Sequence, residues 1–81
     1  MGEATAEDRF RQQTLRNAAA AEVRADRCDL LARRHRAEAD GEADELRRAW
    51  LVSTADRYAE IAEQYRAVAR KGRESVAEVR P

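Results

Sequence analysis

Trp50-Leu-Val-Ser-Thr-Ala-Asp-Arg-Tyr58-Ala-Glu-Ile-Ala-Glu-Gln-Tyr65-Arg-Ala-Val-Ala-Arg-Lys71 is the stretch on which the reading of the fold turns. Within it Leu51, Thr54, Tyr58, Ile61, Tyr65 and Val68 succeed one another at alternating spacings of three and four. That is the a and d rhythm of helices that pack side by side. Trp50, Ala55, Ala62 and Ala69 widen the same stripe. No glycine or proline interrupts the run before Gly72, so the spacing predicts one amphipathic helix with Gly72 as its C-cap.

Upstream, Thr5-Ala-Glu-Asp8 carries the capping-box pattern, with Asp8 as a shorter stand-in for the usual Glu. Helix one starts there and runs unbroken to about Asp40. Gly41 then offers left-handed dihedrals at no steric cost. Arg33, Arg34 and Arg36 before it, and Glu42, Asp44 and Glu45 after it, suit the negative end of one helix and the positive end of the next. The expectation is a single domain over 1–81: helix one at about 5–40, a turn near Gly41, helix two at about 42–71, and a tail over 72–81 with a short turn around Val76 and Val79. Two alternatives stand beside it. A continuous rod through Gly41 costs only about 1 kcal/mol relative to alanine, and Ser53-Thr54-Ala55-Asp56 is a further capping signature that splits helix two.

Helix one is apolar on two sides. Phe10, Ala21, Cys28, Leu31 and His35 gather on one, and Leu15, Ala19, Val23, Leu30 and Ala37 lie roughly opposite. A helix of that kind wants two neighbours. The fold class is therefore all-α: a hairpin of two long amphipathic helices that self-associates into an antiparallel four-helix bundle or coiled coil. Glu7 with Arg11, Asp29 with Arg33 and Asp44 with Arg48 have the favourable order for pairing along one helix, at roughly 0.3 kcal/mol each. The interface expected from these patterns comprises Leu51, Tyr58, Ile61, Tyr65, Val68, Trp50, Phe10, Cys28 and Leu31.

Length and composition point the same way. A chain of 81 residues holds one small core, which seldom supplies more than about 3–5 kcal/mol. A lone Cys28 rules out an internal disulfide. Charged residues make up 40% of the chain, yet sixteen bases balance sixteen acids, so no net field draws the whole molecule to nucleic acid or to anionic lipid. The acidic start Met1-Gly-Glu-Ala-Thr-Ala-Glu-Asp8 is unlike a secretory signal, and no apolar run is long enough to span a bilayer. The expected location is the cytoplasm.

Candidate chemistry is thin. Cys28 and His35 lie seven apart on one helix, about 10 Å along its axis, and arginines flank the histidine, so no metal site is expected, nor any cofactor. No carboxylate pair is marked for acid and base catalysis. Asp29-Leu-Leu-Ala-Arg33-Arg34 resembles part of the first helix of small all-helical chorismate mutases, which implies an arginine holding a substrate carboxylate. Lys71, the one lysine, lies far from that stretch. A helical hairpin with a tryptophan near its bend also resembles the WXG-type secreted effectors, but Leu51 and Val52 follow Trp50 where that family has its glycine turn.

Arg66, Arg70, Lys71 and Arg73 form the local basic group best suited to a polyanion. The function expected is thus a non-catalytic interaction module: a scaffold, adaptor or inhibitor acting as a homo-oligomer, partnered by itself or by another helical protein. One alternative is a small regulatory or antitoxin-like protein that meets nucleic acid through the C-terminal basic group. Another is a helical enzyme assembled across a dimer.

Overall fold

Thr5 opens the first helix as the sequence predicts. The Asp8 N–H donates to Thr5 Oγ1 at 3.1 Å, and the Thr5 N–H donates to Asp8 Oδ2 at 3.3 Å, so two of the amides left without helical partners are satisfied reciprocally. The computed structural model describes residues 5–78. It consists of α1, Ala6–Asp40, and α2, Glu45–Glu78, folded back on each other as a hairpin. Among the described residues there is no strand and no break at Ser53.

At the turn Gly41 keeps φ −97° and ψ 3°, so the left-handed conformation expected of it is not used. The helix ends instead in two tight three-residue bonds: the Gly41 N–H donates to Glu38 O at 3.2 Å and the Glu42 N–H to Ala39 O at 3.1 Å. Asp44 then caps α2. Its Oδ1 accepts from the Leu46 N–H at 3.1 Å and its carbonyl accepts from the Arg48 N–H at 2.9 Å. Arg47 clamps the bend, reaching Glu38 and Glu42 at 3.0 Å each.

Helix two does not stop at Gly72 but continues to Glu78. The reason lies across the interface. A Cβ built at Gly72 would lie 3.5 Å from Thr14 Cγ2 and 3.6 Å from Ala18 Cβ, ordinary contact distances, so Gly72 faces α1 as an interior residue of the helix rather than ending it. Val76 therefore sits within α2, and Val79 lies outside the described residues.

The core is a pair of alanine rows. Ala18, Ala25, Ala32 and Ala39 of α1 and Ala55, Ala62 and Ala69 of α2 are buried, each row repeating every seven residues. Ala18, Ala21 and Ala69 touch directly, with Tyr65 packed against them. Leu51 is the one large side chain among the described residues that is fully buried. Helices that meet through methyl groups approach closely, which flattens the molecule into a slab of 65 × 21 × 12 Å.

This shifts the helical phase of the seam. Leu51, Tyr58 and Tyr65 keep their places in it, but the positions between them belong to Ala55, Ala62 and Ala69 rather than to Thr54, Ile61 and Val68. Ile61 and Thr54 are half-buried at its margin, and Val68 is 57% exposed. Close packing selected the smallest apolar residues, and the branched ones were turned outward.

Candidate interaction surface

A flat hairpin has two broad faces, and here they differ in chemistry. One is laced by cross-helix ion pairs. Arg36 meets Asp56 at 3.1 Å; Arg66 meets Asp29, with Asp26 at 3.5 Å and Glu63 at 3.4 Å beside it; Arg73 grips Glu22 with both guanidinium nitrogens, Nη2 donating to Oε2 at 2.9 Å. The hydrogen bond from Arg73 holds the Glu22 carboxyl below the usual carboxylate range; desolvation opposes it, and the charges of Arg73 and Arg66 add to the lowering. Hydrogen bonds to Asp29 and to Glu22 raise the Arg66 and Arg73 guanidiniums in turn. Asp29 thus pairs across the hairpin rather than along its own helix toward Arg33.

The other face carries Trp50, Tyr58, Ile61, Tyr65 and Val68 of α2. A shallow groove on α2 is lined by Trp50, Ser53, Thr54, Arg57, Tyr58 and Ile61, and a second by Ile61, Gln64, Tyr65 and Val68. They join at Ile61. Arg24 reaches over the Tyr65 ring from α1, 6.0 Å from its centroid. Toward the bend, His35 stands between Trp50 and Tyr58, with ring centroids 6.2 and 5.5 Å away. Its Nδ1 lies 2.7 Å from Leu31 O. A carbonyl can only accept, so Nδ1 carries the proton and donates.

Of the residues singled out by sequence, Leu51 is buried; Tyr58, Tyr65, Ile61, Cys28 and Leu31 are half-buried; Trp50, Val68 and Phe10 are exposed. Cys28 and His35 lie one heptad, or two turns, apart along α1, and His35 is already committed to aromatic and backbone partners. The basic group is divided by the fold. Arg66 and Arg73 lie on carboxylates, Arg70 borders a recess shared with Glu22 and Asp26, and Lys71 is exposed. Among the described residues, no three His, Cys, Asp or Glu side chains cluster as a metal site would require, and no helix is long and apolar enough to cross a membrane.

No family model, curated protein or solved structure matches the chain. The surface itself is then the guide to function. Sequence reasoning missed the ion-paired face and the His35 cluster, because both depend on which α1 residue lies beside which α2 residue. The alanine heptads 18, 25, 32, 39 and 55, 62, 69 were the signal that would have supplied that alignment.

Proposed function

We propose that the hairpin is a cytoplasmic, non-catalytic protein–protein interaction module that works as a helical homo-oligomer, its apolar broad face closed by a further pair of helices in a four-helix bundle. The observation that carries this reading is an inverted distribution of apolar residues. The interior is alanine, while Phe10, Leu15, Val23, Leu30, Leu46, Trp50, Val52 and Val68 are exposed, Trp50 to 57% and Leu46 to 84%. An isolated slab of this kind buries little apolar area per residue. Covering the outer residues adds the burial that a chain of this length lacks.

The polyanion reading draws less support, since two of its four cations already serve intramolecular pairs. An enzyme assembled across a dimer needs convergent polar groups in a deep cavity, and the grooves on the apolar face are shallow and lined largely by apolar side chains. The deciding experiment is native mass by light scattering over a range of concentrations, read beside helical circular dichroism. A strongly helical dimer or higher oligomer is expected. A folded monomer at every concentration refutes the homo-oligomeric reading.

A further inference from the structure

The outer stripe of α2 reads Trp50, Thr54, Arg57, Ile61, Gln64, Val68, Lys71, again at alternating spacings of four and three. It is a second packing seam, parallel to the alanine seam and left without a neighbour. It is also close to symmetric about Ile61. Thr54 and Val68 lie seven residues to either side, Arg57 and Gln64 flank the centre, and Trp50 and Lys71 stand at the two ends.

Resting on the interaction-module reading, we infer that this seam pairs with itself: α2 of one copy lies antiparallel to α2 of a second, across a two-fold axis at Ile61. Charge decides the orientation. A parallel pairing sets Arg57 on the partner's Arg57 and Lys71 on the partner's Lys71. The antiparallel pairing sets Arg57 beside the partner's Gln64, Thr54 on the partner's Val68, and the Lys71 stem along the partner's Trp50, where its ammonium finds an aromatic face. No carboxylate interrupts the stripe. The opposite broad face is a poorer candidate, because its charges are already satisfied by one another.

The area suffices. From Trp50 to Lys71 the seam is roughly 30 Å long at 1.5 Å per residue, and the slab is 21 Å wide. With the α1 helices stacked on each other beside the paired α2 seams, as the same two-fold axis allows, that gives about 600–700 Å² per copy before side-chain relief is counted, near the ~800 Å² per partner of a standard interface. Arg24 shares this face and approaches the partner's Arg57, so added salt leaves the pairing unchanged or tightens it. An acid-flanked helix of another protein bound at the same face would instead be weakened by salt.

Cross-linking of the full chain tests the axis, in a Cys28→Ala background. An on-axis residue meets its own copy, so Ile61→Cys should form a disulfide-linked dimer under mild oxidation. Glu63→Cys, exposed and paired with Arg66 on the opposite broad face, should remain largely uncrosslinked. Val68→Glu replaces a side chain that is 57% exposed in the single hairpin, so the helices still form, and it should weaken the dimer by at least about thirtyfold. A dimer by mass in which Ile61→Cys links no better than Glu63→Cys, or which Val68→Glu leaves intact, overturns the axis and leaves homo-oligomerisation standing. A folded monomer overturns both and assigns the face to a different chain.

Discussion

Replacing Gly72 by alanine separates two accounts of the C-terminal third of the chain by the sign of a stability change. If α2 ended at Gly72 in a left-handed cap, alanine would be strained there and would cost about 1 kcal/mol. In the structure Gly72 is a helix-interior residue without positive φ. The added methyl would meet Thr14 Cγ2 at 3.5 Å, Ala18 Cβ at 3.6 Å and Thr14 O at 3.7 Å, all ordinary van der Waals distances. Nothing has to move. Alanine then gains about 0.8–1.0 kcal/mol of helix propensity, together with part of the ~0.8 kcal/mol that a fully buried methylene contributes. Gly72→Ala should therefore stabilise the protein by about 1–1.5 kcal/mol, a rise of about 5–10 °C in Tm for a domain of this size. Scanning calorimetry checks it, with wild type and variant at one protein concentration because association makes Tm depend on concentration. A fall in Tm would refute both the continuity of α2 through Gly72 and the spacing of the helices at that level.

The alanine rows make a second prediction, against hydrophobic intuition. Ala62→Leu adds apolar volume at a fully buried position where the facing helix leaves no room, and it should lower stability by about 1–3 kcal/mol, seen as a lower urea midpoint at unchanged slope. Acid should dissolve the ion-paired face. The folded pKa of Glu22 lies below its unfolded value, chiefly through the Arg73 hydrogen bond, so its contribution is full above the unfolded pKa of about 4.3 and is lost as pH falls through the folded value. Urea midpoints of wild type and Glu22→Gln should differ at pH 7 and converge on acidification. A gap that persists at low pH would mean that the glutamate acts through packing rather than charge.

The sequence announces the hairpin through local chemistry and obscures its interior. The Thr5–Asp8 box is legible because it joins residues three apart, and the break after Asp40 because acids gather beyond Gly41. The seam is harder to read. α2 carries two stripes of the same period one position apart, Ala55, Ala62, Ala69 and Thr54, Ile61, Val68, and hydrophobicity alone favours the branched set. Packing distance decides otherwise, since two helices joined by methyl groups have no space for isoleucine between them. Gly72 misled for a different reason: glycine can end a helix through a positive φ or sit inside one, and only its backbone conformation, without positive φ, tells the two apart. The division of the basic group was not legible because Arg66 and Arg73 pair with acids 37 and 51 residues earlier in the chain.

Alanine rows that repeat every seven residues carry little memory of position along the axis. Slid by one heptad, about 10 Å, methyl would again meet methyl. The ion-paired face forbids the slide. Along α1 its order is acid, acid, base at Glu22, Asp29 and Arg36; along α2, read in the opposite direction, it is base, base, acid at Arg73, Arg66 and Asp56. One heptad of slip in one direction presents Arg73 to Leu15 and Asp29 to Ala59; in the other it brings Arg36 against Arg66. The charges thus act as an axial vernier, fixing where along its length each helix stops while the alanines fix only how closely the two lie.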